Sequence, residues 1–153
     1  MQKIVILDNI RSAHNVGSIF RTCDAAGVSK IYLCGYTPAP IDRFGRAQSE
    51  ITKTSLGATE TVGWECREKI EDLLTALKKE GVTIAAVEQG KDAVSYKNWQ
   101  QKGSTAFIFG NEVDGISDEV YKASDVVLEI KMQGTKESLN VSVAAGVVLF
   151  QYT

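Results

Sequence analysis

The sequence predicts an α/β fold in which a mostly parallel sheet is flanked by helices. Short apolar runs closed by polar turn residues alternate along the chain with segments whose apolar residues recur at three- and four-residue spacing. Such alternation of strand and helix signals implies layered packing on a parallel sheet. A length of 153 residues, 44% of them hydrophobic and 24% charged, suits one full core, so residues 1–153 are expected to form a single domain.

Lys3–Leu7 reads as a short buried strand, stopped by Asp8 and Asn9. A helix is predicted over Asn15–Ala26: Val16, Ile19, Phe20 and Cys23 share one face, Asn15 is a good N-cap, and Gly27 falls at the C′ position. Lys30–Leu33 is the second strand. Gly35–Gln48 holds both prolines, Pro38 and Pro40, and reads as a loop. Ser49–Leu56 is expected as a short helix and Glu60–Trp64 as a strand. Glu68–Lys79 is the cleanest helix, with Ile70, Leu73, Leu74 and Leu77 on one face and Gly81 at its end. Val82–Val87, Thr105–Phe109 and Val126–Ile130 are further strands. Ser117 opens a short helix whose first turn carries Asp118 and Glu119, where the helix dipole favours negative charge. After Glu137 no charge occurs as far as Thr153; Ser138 is expected to cap a last helix, with Asn140 in its first turn. That apolar stretch is shorter than the roughly 20 residues of a membrane span, so it reads as a core helix buried on all sides.

Composition narrows the function classes. A net charge of −2 and a pI near 5.5 argue against gripping nucleic acid with the whole surface, though not against a local basic patch. Cys23, Cys34 and Cys66 have no metal-ligand spacing, so reduced thiols in a cytoplasmic protein are expected, with no metal site. The apolar run after Met1-Gln2-Lys3 is too short for a signal peptide, and no membrane association is expected.

Parallel sheets bind ligands in the loops beyond the carboxyl ends of their strands. The loop after the first strand, Asn9–Arg21, crowds asparagines and arginines at a helix start, where free N–H groups favour anions. Two plainer readings stay open there: Asn15 as a simple cap, and Arg21 paired with Asp24. His14 has no ligand companions and reads as structural. The loop Phe109–Ser117 has the glycine spacing of a phosphate loop, yet Ile116 stands where lysine is needed and Glu112 and Asp114 would repel phosphate. An acidic glycine-rich loop suits a ligand with positive charge. No G-x-G-x-x-G occurs, which removes support for a Rossmann dinucleotide site.

Taken together, Asn9-x-Arg11…Asn15-x-Gly17…Arg21, Phe109-Gly110-Asn111-Glu112…Gly115 and Ile130-x-Met132…Ser138-Leu139-Asn140-Val141-Ser142-Val143-Ala144 resemble the three motifs of the SpoU/TrmH family of RNA ribose 2′-O-methyltransferases, in the SPOUT class. Lys53-x-Ser55-x-Gly57-Ala58 is similar to the family pattern as well, while Lys131 stands where the family usually carries proline. The resemblance implies a C-terminal trefoil knot, S-adenosylmethionine as cofactor, and a homodimer that shares its RNA site between chains. It implies cofactor contacts at Ala86, Val87, Gly110, Ile130, Ser138 and Leu139. Arg21 would position and stabilise the reacting hydroxyl, being too basic to act as a general base. Asn15 and Glu112 would orient Arg21 or the ribose, and Ser138 and Asn140 would fix the loop and the target nucleotide. With the family's N-terminal RNA-recruiting extension missing, the chain looks like a minimal TrmL-type catalytic domain. Its contacts to RNA (tRNA rather than rRNA) would come from Arg11, Arg43, Arg46, Lys53 and the partner chain. The competing expectation is a catalytically idle homodimer that binds RNA or the cofactor.

Overall fold

The computed structural model describes all residues, 1–153. Its elements in order are β1 (Lys3–Asp8), α1 (Ala13–Ala25), β2 (Lys30–Cys34), α2 (Ser49–Ser55), α3 (Ala58–Thr61), β3 (Gly63–Arg67), α4 (Ile70–Lys79), β4 (Thr83–Val87), β5 (Val94–Ser95), β6 (Thr105–Phe109), α5 (Asp118–Ala123), β7 (Val126–Glu129) and α6 (Val141–Gln151). The seven strands form one sheet in the order β3-β2-β1-β6-β4-β7-β5. All six pairings are parallel.

The sheet is apolar on both faces because helices cover both. Along β1, Val5 and Leu7 point into one core and Ile4 and Ile6 into the other, as the two-residue period of a strand requires. α1, α2, α3 and α6 close the first core, around Phe20, Phe107 and Phe109; α4 and α5 close the second, around Leu73, Leu74 and Ile84. β1 and β6 lie at the centre, and every residue of β6 is buried, the near-continuous apolar run expected of an inner parallel strand. No helix is long and apolar enough to cross a membrane.

The structure moves several boundaries. The N-cap of α1 is Ser12, whose hydroxyl accepts from the Asn15 N–H at 3.1 Å; Asn15 sits inside the first turn, and its side chain is free for other partners. Leu56 and Gly57 both have positive φ (50° and 88°), which ends α2 and starts the turn of α3. Glu60 therefore lies in helix, and β3 begins only at Gly63. The two-residue strand β5, paired with β7, carries no pattern that a sequence reading could detect. Asn140, rather than Ser138, caps α6, accepting from the Ser142 N–H at 2.9 Å. Nor is α6 buried on all sides. Ala145, Val148 and Leu149 are buried, but Val143 and Phe150 remain about half exposed (51% and 50%). Its uniform apolarity hides a one-sided packing against α1.

The C-terminus is tied down by aromatic packing. Tyr152 stacks on Phe107 (centroids 5.6 Å apart) and meets Trp99 edge-on, while its hydroxyl donates to the Tyr96 carbonyl. Burial, with the nearby Tyr96, pushes the Tyr152 phenol up to about 12.

Candidate functional site

The strand order reverses beside β1: β2 and β3 follow it to one side, while β6, β4, β7 and β5 lie to the other. Loops leaving neighbouring strands diverge at such a switch and open a crevice. Here the loops after β1 and β6 are held together by one carboxylate. Glu112 Oε1 and Oε2 accept the backbone N–H groups of Arg11 and Ser12, each at 2.9 Å, and Oε2 also accepts from Asn15 Nδ2 at 3.1 Å. Asn140 Nδ2 reaches Asn15 Oδ1 at 3.3 Å. One network thus joins all three segments that the sequence singled out.

The network explains the charge state of Glu112. Burial raises its pKa, but donations from the Arg11 and Ser12 N–H groups, its own backbone and Asn15 outweigh that, so the carboxyl lies below its ordinary range. It is an ionised clamp with its oxygens engaged, not a base awaiting a proton.

A cleft of about 810 Å³ opens on the other side of the acidic loop. Its walls come from the loops after β4, β6 and β7 and from the first turn of α6, including Val87, Gly110, Ile130, Ser138, Leu139 and Ala144. Of the expected cofactor residues, Ala86 alone does not line this cleft: it is fully buried inside β4, pairing with Ile108, and points into the core below α4. Glu88, Asp92, Glu112, Asp114 and Asp118 line the cleft against a single lysine, Lys91. This negative surplus fits a cationic ligand and opposes a phosphate.

Glu88, absent from the sequence reading, anchors the acidic loop from the β4 side. It accepts from the Ile116 N–H at 3.0 Å and the Gln89 N–H at 2.8 Å. Gly115 (φ 67°) packs on it, and a Cβ there would lie 2.2 Å from Glu88 Oε2. A Cβ on Gly110 would lie 2.6 Å from the Gly115 carbonyl. The glycines are needed for this close approach, with no lone signal in the sequence to mark Glu88 as their partner. Gln89 Nε2 donates to the Glu137 carbonyl at 2.6 Å and pins the β7 loop across the cleft.

The remaining site residues lie apart. Arg21 is exposed on α1, with neither a hydrogen bond nor an ion pair; it lines neither cleft and does not pair with Asp24, whose carboxylate instead accepts from the Thr61 hydroxyl. Ser138 lines the cleft without capping α6. Arg11 lines a second cleft, of about 670 Å³, beside the first. Arg43 and Arg46 bracket the exposed Phe44 ring on the loop after β2, their guanidinium carbons 4.8 and 5.0 Å from its centroid. Lys53 is exposed on α2. The three thiols are free; burial raises Cys34 to about 12, helped by Asp8, so it stays protonated and inert. No three His, Cys, Asp or Glu side chains converge as a metal site would require.

Fold and clefts define an α/β domain with a cation-favouring ligand site at the carboxyl edge of a parallel sheet. The chain belongs to the SpoU rRNA methylase family, whose model matches residues 2–150. A tRNA (guanosine(18)-2′-O)-methyltransferase of Aquifex aeolicus is 34% identical over 152 residues, 97% of this chain and 67% of that protein. A 23S rRNA (guanosine-2′-O-)-methyltransferase of Neisseria meningitidis is 34% identical over 146 residues, 95% of this chain and 56% of that one. The crystal structure of an AdoMet-bound rRNA methyltransferase from Sinorhizobium meliloti superposes with a TM-score of 0.89 at 28% identity, covering 98% of this chain and 55% of that one. The chain therefore spans a little over half to two thirds of the length of these relatives.

Proposed function

We propose that the chain transfers a methyl group from S-adenosylmethionine to a ribose 2′-hydroxyl of RNA, working in the cytoplasm as a homodimer. The observation that carries this reading is the acid-lined cleft at the sheet's carboxyl edge, built from the second and third family motifs and tied to the first by the Glu112–Asn15–Asn140 network. Its surplus of carboxylates fits a sulfonium, and its volume falls within the usual range for cofactor sites of about 300–1,000 Å³. Val87, Gly110, Ile130, Ser138 and Leu139 would hold the cofactor. Bound there, it supplies an electrophilic methyl group that needs only alignment with an incoming oxygen.

The chain's own residues then have distinct tasks. Glu112 keeps the β1 and β6 loops in register, and Asn15 and Asn140 extend that order to the start of α6. Arg21, unpaired and exposed, is available for an RNA phosphate or the developing alkoxide, where a planar guanidinium stabilises charge without itself losing a proton. Because Arg21 lines neither cleft of its own chain, we infer that it serves the site of a second copy. The half-exposed Val143 and Phe150 on α6, which packs beside α1, supply apolar surface for that pairing. We extend the reading to a C-terminal knot through the same resemblance.

The test is transfer of labelled methyl from the cofactor to total tRNA and, separately, to ribosomal RNA. Both pools are needed, since relatives of both kinds match at the same 34% identity. Incorporation is expected in the wild type and lost in Arg21→Ala with its unfolding temperature unchanged. Cofactor binding by calorimetry without methylation of either pool would overturn the catalytic reading in favour of an idle binding protein.

A further inference from the structure

The second cleft contains a side chain that the proposed chemistry leaves without a task. Tyr36 is 60% exposed, yet it is held at both ends. Its backbone N–H donates to Asn9 Oδ1 at 3.1 Å, and its phenolic oxygen accepts from Asn111 Nδ2 at 2.8 Å. Asn111 is itself fully engaged: Nδ2 also donates to the Asn9 carbonyl at 2.9 Å, and Oδ1 accepts the Val113 and Asp114 N–H groups at 2.8 and 2.9 Å. The neighbouring Thr37 is buried, and its hydroxyl ties the loop to the Leu7 and Cys34 carbonyls. Gly35, with φ 63°, makes the turn; a Cβ there would lie 1.8 Å from Asn9 Oδ1.

A solvent-facing aromatic is ordinarily mobile. Here the structure fixes one in a cleft of about 670 Å³ whose other walls are almost entirely polar. Arg11 stands at the same cleft with no carboxylate partner, a guanidinium free to take a phosphate. The wall of Asn111, Glu112, Asp114 and Asn140 is shared with the acid-lined cleft. A flat π-face matches the base of a nucleotide, the amides of Asn111 and Asn140 its sugar, and Arg11, the one cation set against the carboxylates of Glu112 and Asp114, its phosphate.

We propose that this second cleft receives the nucleotide to be methylated and that Tyr36 is its stacking platform, positioning the base so that the sugar meets the shared wall. The inference rests on the methyl-transfer reading above. It adds a binding residue whose contribution is a ring face and not a hydroxyl, and the substitutions Tyr36→Phe and Tyr36→Leu separate the two.

Two measurements decide it. In methylation of total tRNA, Tyr36→Leu should raise KM roughly tenfold, the size of one lost base–aromatic stack, with kcat and cofactor affinity unchanged. Tyr36→Phe should raise KM by only about threefold, because the ring face remains for stacking and only its tie to Asn111 is lost. Independently, in protein labelled at its five tyrosines, the Tyr36 ring resonance, assigned from its absence in Tyr36→Phe, should move on titration with the four nucleoside 5′-monophosphates and stay still with ribose 5-phosphate. Equal damage from Phe and Leu would make Tyr36 a strut for Asn111 and overturn the proposal. So would an unchanged KM in Tyr36→Leu, or a silent ring. If the wild type methylates neither tRNA nor ribosomal RNA, the methyl-transfer reading fails, and the ring titration alone decides whether the cleft takes a nucleotide.

Discussion

Asn15 Nδ2 donates to Glu112 Oε2 at 3.1 Å, linking residues 97 positions apart across the switch point of the sheet. The contact matters because Glu112 simultaneously holds two backbone N–H groups of the β1 loop. Removing the carboxylate leaves all three donors without their charged acceptor.

Glu112→Gln, which keeps the shape and loses the charge, is expected to lower stability by about 1 kcal/mol, and Glu112→Ala by somewhat more. Methyl transfer should fall further, to about a hundredth, because a shift of 1 Å in the β1 loop misaligns the reacting groups. The pH dependence has a definite sign. Since the folded-state pKa of Glu112 lies below its ordinary value, its contribution is fully present above the ordinary carboxyl pKa of about 4.3 and is lost as pH falls through the depressed value. Acid titrations of unfolding temperature should be flatter in Glu112→Gln than in wild type; parallel curves would remove Glu112 from this role.

Gly115→Ala tests the second anchor of the acidic loop. At φ 67° an added Cβ costs about 1–2 kcal/mol, and here it would also strike Glu88 Oε2, 2.2 Å away. The carboxylate must swing aside and release the Ile116 N–H. Reduced unfolding temperature together with weakened cofactor affinity by calorimetry is expected. Glu88→Gln should weaken the cofactor without the backbone strain.

The layered parallel fold could be read from the sequence because β1 and β6 are continuous apolar runs, buried almost throughout, and α4 keeps one helical period with its apolar face buried. The motif residues could be read because glycine, asparagine and acidic side chains cluster after apolar runs. What those residues touch could not. Asn15 looked like a cap because asparagine caps helices well, but Ser12 took the cap and left Asn15 to reach Glu112. Glu88 and Tyr36 carry no local signal, since their tasks arise only when loops from different strands meet. The apolar α6 has no sequence feature that separates its buried face from its exposed one, so its half-open packing came only from the structure.

Gly17→Ala runs against helix propensity. In an isolated helix alanine would gain about 1 kcal/mol over glycine. On α1, however, a Cβ at Gly17 would lie 1.8 Å from Thr54 Oγ1 and 2.9 Å from the Ile51 carbonyl of α2. Thr54 can rotate, but the carbonyl cannot, so α1 and α2 must separate. A net loss of about 1–3 kcal/mol, the usual range for overpacking, is expected in thermal unfolding. Gly17→Ala with Thr54→Ala should recover only part of it. An unfolding temperature above wild type in the single variant would show that α2 is not packed as closely as described.

The assignment of Arg21 to a neighbouring copy predicts complementation. Arg21→Ala removes the proposed activator and leaves the cleft of the same chain intact. Leu139→Arg does the reverse: Leu139 lines the acid-walled cleft with its side chain 40% exposed, so a cation fits there without disturbing the core and repels the sulfonium. Each variant alone should be inactive as a dimer of identical chains. When the two are mixed and allowed to exchange, a mixed dimer contains one site with both an intact cleft and a wild-type Arg21 from across the interface. Random exchange makes half the dimers mixed with one working site of two, so activity should return to about a quarter of wild type under C2 pairing. If Arg21 served its own chain, each mixed dimer would still lack any complete site and the mixture would stay silent. Activity that returns on mixing therefore reports the interface and the reach of Arg21 in one measurement.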